Sequence, residues 1–359
     1  MPAEAQGARK RREPWRRMRR KPLALASLAV LLLLTGASLA TLPFSARWYN
    51  VQGTDIAVRR PPSAAPIVPI RRFMEAGRRS ARAKARGSSA ADRVERGRID
   101  PAVTKPHVLE RAAYAATSWL GHDDLGRSVL YRILPAFVVS FAIGVAAAAM
   151  AVVVGTAWGA VAALWGGLVD SVMMRIVDVL YGLPYILMAI LLKVALTRPL
   201  TAMFGGQSKF VDLLVLLLAI GGVSWLTMAR VIRGQVLSLR AQPFVEAARA
   251  AGAGPRHIIR RHLLPNLVGP ISVYATLVVP QAILQESFLS FLGIGVQQPV
   301  PSLGRLAADG VEAVNTFVGF WWLLVFPCGL LVITLLALNF IGDGLRDAYD
   351  PKSTAATLV

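Results

Sequence analysis

Six stretches of apolar residues, each close to the length of a membrane span, constrain this chain more than any other feature of its sequence. A helix needs about 20 consecutive apolar residues to cross the roughly 30 Å hydrocarbon core of a bilayer. We predict spans at about 22–44, 135–165, 176–196, 211–230, 267–293 and 319–341. The sequence therefore predicts an all-α integral membrane protein with six transmembrane helices.

The charged residues are separated from these apolar blocks. Lys and Arg number 40 against 20 Asp and Glu, which gives a formal net charge of +20, yet the mean hydropathy is +0.52. A nucleic-acid-binding protein this basic would not carry apolar runs of about twenty residues. We therefore expect a lipid bilayer, and no nucleic acid, as the partner of this chain.

The blocks divide the chain into five parts. We predict a basic cytoplasmic tail at 1–21, a first span at 22–44, an extracytoplasmic Arg-rich loop and pre-helix segment at 45–134, a five-helix core at 135–341 and a cytoplasmic tail at 342–359. Within the core, an Arg-rich loop at 231–266 is predicted to be cytoplasmic, because positive charge favours that side of the membrane. The loop after the first span escapes this rule because segments beyond about 60 residues cross largely regardless of charge.

The first apolar block has a second interpretation. Ser38-Leu39-Ala40 resembles the small-residue cleavage site of a secretory signal peptide. The block is long for the apolar region of a signal peptide, which favours a retained span. In both cases the segment that follows lies outside the cytoplasm.

Several kinds of functional site have no candidate residues. Cys328 is the only cysteine, which excludes a disulfide within the chain and a metal site built on cysteines. The four histidines form no recognisable ligand cluster, and no phosphate-binding loop is present. We expect no catalytic, cofactor or metal site, so any ATP that drives this protein must be bound by another chain.

Small residues and prolines in the predicted spans indicate how these helices pack. Gly155 and Gly159 have the GxxxG spacing that lets two helix backbones approach closely in lipid, and we favour packing within the chain over a subunit contact. Pro184, Pro280 and Pro327 lie within apolar runs, where we expect them to kink the helices.

A charged segment interrupts the apolar blocks at residues 242–266, QPFVEAARAAGAGPRHIIRRHLLPN. Pro243 suits the first turn of a helix that Gly252 and Gly254 end, and Pro255 can start a second short helix that Pro265 closes. The pattern predicts an amphipathic helix–turn–helix, which lies on the membrane surface or docks into a groove of a partner.

Six residues of this segment reproduce the EAA-x3-G-x9-I-x-L-P signature of ABC importer permeases at matching spacing: Glu246, Ala247, Ala248, Gly252, Leu264 and Pro265. His262 stands at the isoleucine position, which resembles the variant in the peptide/nickel branch of these permeases. Four further stretches resemble motifs of that branch: LGHDDLGRSVLYRIL, DSVMMRIVDVLYGLPYILMAILL, LSFLGIGVQQPVPSLG and NFIGDGLRDAYDP. The resemblance covers residues 118–352.

The resemblance implies an architecture and a mechanism. It implies the ABC importer type I permease fold in a bacterial cytoplasmic membrane, with both chain ends cytoplasmic. The chain would form half of a translocation path with a second homologous permease. Two separate ATPase subunits would use ATP, and an extracytoplasmic solute-binding protein would deliver peptides or a related small solute. The six signature residues would form the coupling element that contacts an ATPase.

Two of these residues have a more specific expected role. Glu246 makes a charge-assisted contact to the ATPase or stabilises the N-terminus of its own helix, and the sequence leaves both roles open. Gly252 permits a turn that a side chain would obstruct.

This sequence departs from the family pattern at three positions on the predicted external side. His122 replaces a usual threonine, Ser128 a usual aspartate and Leu303 a usual tryptophan. These departures bear on the contact with the binding protein and on substrate identity.

Glu286 lies within the fifth apolar block, where a charge is costly and often functional. It faces the translocation path or bonds to a neighbouring helix.

The sequence leaves three rival functions to consider. An ion-coupled secondary transporter would need several such acids as a relay, and an intramembrane enzyme would need a catalytic set of residues. The third rival is a membrane anchor. An anchor leaves the EAA signature unexplained.

Overall fold

The computed structural model describes residues 21–48, 62, 119–206, 208–298, 300–314 and 320–349, and these residues are almost entirely helical. Within this part of the chain the only β pairing is an isolated bridge between His122 and Ser128. The helices are α1 Pro22–Trp48, α2 Val129–Trp165, α3 Gly167–Tyr181, α4 Tyr185–Met203, α5 Lys209–Arg240, α6 Pro243–Ala250, α7 Pro255–Ile258, a π-helix at Ile259–Leu263, α8 Leu264–Phe291, α9 Leu303–Val314 and α10 Trp322–Tyr349. Residues 1–20, residues 350–359 and most of the Arg-rich loop lie outside the described residues, whereas residues 342–349 of the predicted C-terminal tail belong to α10.

Six of these helical stretches are long and apolar enough to cross a membrane. They are Pro22–Leu42, Val129–Trp165, Tyr185–Met203, Lys209–Arg240, Ile259–Phe291 and Trp322–Tyr349. The prediction of an all-α membrane protein with six spans is confirmed. The amphipathic helix α9 was missed, because it is short and shares its apolar residues with small and charged ones.

The predicted bounds of the third span, 176–196, were wrong. Residues from Gly167 to Tyr181 form helix α3, and a new helix begins at Tyr185. Pro184 does not kink a span but lies at the N-cap of α4 with an extended backbone, φ −54° and ψ 121°. Proline has no N–H to donate, so the bond that would have continued α3 is missing here. The third span is therefore Tyr185–Met203.

Pro265 also behaves differently from the prediction, because it does not close the second short helix. Residues from Ile259 to Leu263 form a π-helix that leads without a break into α8, where Pro265 is the second residue. The Leu264 N–H donates to the Ile259 carbonyl, five residues earlier. A π-turn of this kind absorbs a missing helical hydrogen bond within a continuous helix.

The described residues divide into two compact units. The first unit comprises the described parts of Met1–Leu33, Phe141–Phe288 and Val332–Val359. The second comprises those of Leu34–Ser140 and Leu289–Leu331.

The close approach of α2 and α5 organises the first unit. A methyl group on Gly155 would lie 2.6 Å from Met228 Cβ and 2.7 Å from the Trp225 carbonyl oxygen. One on Gly159 would collide with the Ala229 carbonyl oxygen and reach the Arg233 nitrogen at 3.0 Å. The GxxxG prediction of packing within the chain is confirmed.

The start of α1 and the end of α10 lie on the same face of the first unit. Lys21 Nζ is 2.9 Å from Asp347 Oδ2, and Ala24 packs against Ala348 in a small buried cluster. A methyl group on Gly269, near the start of α8, would lie 2.9 Å from Tyr349 Cδ1. This face is therefore shared with the charged segment that precedes α8.

Asp123 organises the polar part of the second unit. Its Oδ1 accepts hydrogen bonds from the backbone N–H groups of Leu125 and Arg127, at 3.0 and 2.8 Å. Its Oδ2 accepts from Arg127 Nε and Arg132 Nη1, both at 2.7 Å. Arg132 also donates to Asp309 Oδ2 at 3.1 Å and so ties α9 to the start of α2. Burial makes these pairs necessary, because an unpaired charge there would be costly.

We predict that Gly159→Ala destabilises the protein, whereas Gly234→Ala does not. The first change forces α2 away from α5 and should lower the free energy of unfolding by about 1–3 kcal/mol. The second introduces the same methyl group on α5 where no atom lies within 4 Å, so helix propensity alone makes it neutral or slightly stabilising. Thermal unfolding of the two purified variants in detergent measures the difference. Equal unfolding temperatures for the two variants would contradict the packing described for Gly159.

Candidate functional site: the EAA segment and the charged helix ends

The charged segment, residues 243–265, forms two helical arms joined by a glycine turn, and we call it the EAA segment. Pro243 lies in the first turn of α6, as predicted. Gly252 follows the end of α6 with φ +81°, a left-handed conformation that favours glycine. The Gly252 N–H donates to Arg249 O at 2.9 Å and the Ala253 N–H to Ala248 O at 3.0 Å. This pair of bonds is a Schellman cap, so the predicted turn at Gly252 is confirmed.

The two arms share a small apolar core that fixes the segment to two spans. Val245 from α6 packs with Ile258 and Leu263 from the second arm, and all three are buried. Leu164 at the end of α2 and Leu239 at the end of α5 complete this cluster. The EAA segment is therefore seated on the ends of both helices.

Arg240, the last residue of α5, strengthens this seat. Its Nη1 donates to the carbonyl oxygens of Ala163 and Leu164, which lie in the last turn of α2. Carbonyl groups in the last helical turn have no partner within their own helix, and a cation there is favoured by the helix dipole. Arg240 thus joins the ends of α2 and α5 directly beneath the EAA segment.

The opposite face of the EAA segment is exposed. Phe244 keeps 40% of its surface exposed and Leu264 45%, although both are large apolar residues. Glu246, Ala247 and Pro265 are exposed as well, and Ala248 is half-buried. The signature residues therefore lie on a surface that combines an acid, small side chains and apolar side chains.

Glu246 lies in the first turn of α6. Its side chain forms no hydrogen bond or ion pair with any residue that the structure describes. Its position fits both roles that the sequence left open. A carboxylate in the first turn is favoured by the helix dipole, and an exposed one is available to a partner. The role of Glu246 in coupling stays a prediction.

His262 occupies the isoleucine position of the signature, and its ring lies near a ring of each arm. Its centroid lies 6.1 Å from that of Phe244 and 5.9 Å from that of His257. The substitution therefore places a planar ring near Phe244 of α6. Among the described residues, no three acidic, histidine or cysteine side chains form a group that could hold a metal ion. The expected absence of a cofactor site stays a prediction.

Two ion pairs between α3 and α5 were missed by the sequence analysis. Arg233 donates from Nε and Nη2 to the two carboxylate oxygens of Asp170, both at 2.6 Å. Arg230 donates to Asp178 Oδ1 at 2.7 Å and its guanidinium carbon lies 4.0 Å from the centre of the Tyr181 ring. The hydrogen bonds from Arg233 hold the pKa of the Asp170 carboxyl below its usual value. Opposite charges at the ends of neighbouring apolar blocks were the available signal, but the wrong boundaries of the third span concealed it.

Glu286 is completely buried. The Ser287 hydroxyl lies 3.4 Å from Glu286 Oε2. Because no surface of this residue is exposed, its side chain does not line an open cavity in this conformation. A role for Glu286 in the translocation path stays a prediction.

The three departures from the family pattern are buried within the second unit. His122 is 4% exposed, Ser128 7% and Leu303 1%. Burial lowers the pKa of the His122 imidazole, and the nearby carboxylate of Asp123 opposes this effect. In this conformation the three side chains can influence an external contact only through packing.

We predict that Val245→Ala loosens the EAA segment while leaving the spans folded. The change removes two buried methyl groups from the small core and should cost about 1–2 kcal/mol. Limited proteolysis should cut residues 243–263 faster in this variant than in the wild type. Phe244→Ala, which truncates the exposed neighbour, is the matched control and should leave the cutting rate unchanged. Faster cutting in the Phe244 variant alone would contradict the described orientation of α6.

The family comparison and two curated relatives agree with one another. Residues 151–354 match the family described as "Binding-protein-dependent transport system inner membrane component". The chain is 45% identical over 259 residues to the oligopeptide transport system permease protein OppC of Escherichia coli (strain K12), across 68% of this chain and 80% of that protein. It is 43% identical over 238 residues to the dipeptide transport system permease protein DppC of Bacillus subtilis (strain 168), across 66% of this chain and 70% of that protein.

The fold is also similar to a solved membrane protein structure. A chain of the methionine ABC transporter MetNI, in an inward-facing conformation, superposes with a TM-score of 0.50. The match covers 62% of this chain and 97% of the other, with 19% sequence identity. At this identity the comparison supports the likeness of fold alone.

Proposed function

This chain belongs to the family of binding-protein-dependent transport system inner membrane components, and from that membership we propose that it is the permease subunit of an ABC importer for peptides. It forms one half of a translocation path and couples to separate ATPase subunits through the EAA segment. Its relatives of 45% and 43% identity are named as oligopeptide and dipeptide permeases, which supports the peptide branch.

One observation supports the coupling role above the others. The EAA segment is seated through Val245, Ile258 and Leu263 on the ends of two spans, while Phe244 and Leu264 remain exposed on it. Exposed apolar residues around an acid are typical of a protein-binding surface. A partner that pushes on this surface moves the ends of α2 and α5 together.

The proposed complex divides the work between chains. Two ATPase subunits bind and hydrolyse ATP, a second homologous permease completes the path, and an extracytoplasmic solute-binding protein delivers the substrate. This chain itself catalyses no reaction and binds no cofactor. The absence of a phosphate-binding loop from the sequence supports this division.

We place the EAA segment and both chain ends in the cytoplasm. The starts of α1 and α8 and the end of α10 share one face of the first unit, as the contacts of Lys21 with Asp347 and of Gly269 with Tyr349 indicate. Exposed arginines cluster in the EAA segment on that face: Arg249, Arg260 and Arg261. Positive charge in short loops favours the cytoplasmic side.

A secondary transporter is not favoured by the distribution of acids. In the described spans Glu286 is the acid that is completely buried, whereas Asp212 is half-buried and Asp343 and Asp347 are exposed. A proton or ion relay would need several acids at depth in the membrane.

We predict that ATPase subunits co-purify with the wild-type chain and are lost from the Glu246→Ala, Gly252→Trp double variant. The double variant removes a charge and introduces a large side chain at a turn with φ +81° on the proposed contact surface. Loss of a charge-assisted hydrogen bond alone weakens binding about tenfold or more. The measurement is a detergent pull-down of the chain expressed with its genomic neighbours.

The control for this experiment is Glu312→Ala, which removes an exposed glutamate from α9 in the second unit. It should recover as much ATPase as the wild type, and unfolding temperatures should show that both variants remain folded. Failure of the wild type to recover any ATPase with the second permease present would overturn the proposed function.

We predict that cells lacking this chain lose ATP-dependent uptake of a labelled oligopeptide and regain it from a plasmid copy. Excess unlabelled peptide should compete for uptake, whereas a sugar should not. Normal peptide uptake together with lost uptake of another solute would refute the peptide assignment but not the permease assignment.

A further inference from the structure

Helix α3 is connected to the rest of the first unit through a backbone break at each end. Gly166 separates it from α2, and Gly166 and the first residue of α3, Gly167, have positive φ values of +66° and +52°. Gly182 to Pro184 separate it from α4, which begins at Tyr185. The run of helical hydrogen bonds is interrupted at both breaks, so contacts made by α3 itself must set its direction.

Apolar packing contributes little to those contacts. Val177 is the one buried residue of α3, whereas Leu168, Val172 and Val179 are 84%, 59% and 64% exposed. The described polar contacts are specific: Trp158 Nε1 of α2 donates to Met173 O at 3.2 Å, and α5 supplies the arginines for both aspartates. Two arginine–carboxylate pairs therefore join α3 to α5.

The two pairs are not equivalent. Arg233 holds Asp170 through two parallel hydrogen bonds, and the side chains are 34% and 15% exposed. Arg230 holds Asp178 through one bond, and those side chains are 37% and 54% exposed. Two parallel bonds fix the relative orientation of the groups, and lower exposure reduces screening by water and salt. The Asp170–Arg233 pair is thus the more rigid attachment.

Arg233 also lies on the helix that carries the EAA segment. Helix α5 continues from Arg233 to Arg240, and α6 begins at Pro243. Arg240 and Leu239 join α5 to the end of α2 and to the core of the EAA segment. A displacement of the EAA segment therefore reaches Arg233 through an unbroken helix.

A cavity of about 760 Å³ lies between the same two helices. Its lining comes from α3 (Ser171, Val172, Met174, Arg175 and Asp178) and from α5 (Arg230 and Arg233). The position of α3 relative to α5 sets the width of this cavity.

We propose that Asp170 and Arg233 are positioning residues of the transport cycle, which make α3 move with α5 when the EAA segment is displaced. This inference rests on the proposed importer function. Their proposed role is to link the two helices, and not to bind the substrate or the ATPase. Their pairing converts a movement of one helix into a movement of the hinged helix beside it.

The test uses the complete importer, reconstituted in liposomes, with variants Asp170→Asn, Arg233→Gln and the charge exchange Asp170→Arg with Arg233→Asp. We expect each single variant to keep its ATPase subunits bound while ATP-driven peptide uptake falls about tenfold, as loss of one charge-assisted pair would produce. The exchanged pair should recover uptake to within about threefold of the wild type, because it restores an ion pair of opposite polarity. Asp347→Asn, which breaks the exposed pair with Lys21, should leave uptake unchanged.

Three results would overturn the inference. Wild-type uptake in both single variants would show that the pair is dispensable. An exchanged pair as defective as the single variants, in an intact complex, would show that pairing is not what matters. Loss of bound ATPase in step with uptake would assign the pair to folding alone. A wild-type complex that binds no ATPase is a different result, because it rejects the proposed function and the inference with it.

Discussion

The close contact of α2 with α5 is the constraint on which the rest of the first unit depends. Water drives apolar surfaces together in soluble proteins, but lipid does not drive helices together, so their association relies on close packing. Gly155 and Gly159 supply that packing, since a methyl group at either would meet Met228 or the Ala229 carbonyl. Because these glycines bring the two backbones together, the helix ends lie close enough for Arg240 to bridge them. The EAA segment therefore packs against the ends of two helices, α2 and α5, and not against one.

The EAA segment must be held in place and must also be available to a partner. A single surface could not do both, and the two faces of the segment divide these tasks. The inner face of the EAA segment is apolar and buried through Val245, Ile258 and Leu263, and it holds the segment in place. The outer face leaves Phe244 and Leu264 exposed and is available to a partner. In the proposed coupling role, force applied to the outer face would pass through the small core to both helices. A flexible loop would dissipate the same force through its own backbone.

Much of this could be predicted from the sequence, because apolar length and glycine chemistry are local properties. Six spans, the turn at Gly252 and the small-residue contact of Gly155 and Gly159 follow from such properties, and the structure has all three. The predictions that failed concern positions where other residues, near or distant in the sequence, change what the local pattern indicates. Pro184 divides an apolar run that hydropathy alone reads as one helix, and Pro265 is absorbed because the preceding turn is a π-helix. The pairing of Asp170 with Arg233 depends on tertiary structure, so spacing along the chain could not predict it.

The contact between the two ends of the described chain has a consequence for biosynthesis. Ala24 packs against Ala348, and Lys21 pairs with Asp347, although nearly the whole of the described chain separates them. Helix α1 is synthesised well before α10, which carries its partner surface. The start of α1 therefore lacks this packing partner, and lies in lipid or against the insertion machinery, until α10 has been made. Contacts of such long sequence separation form late. A chain that stopped before α10 would leave Ala24 and Lys21 without these two contacts.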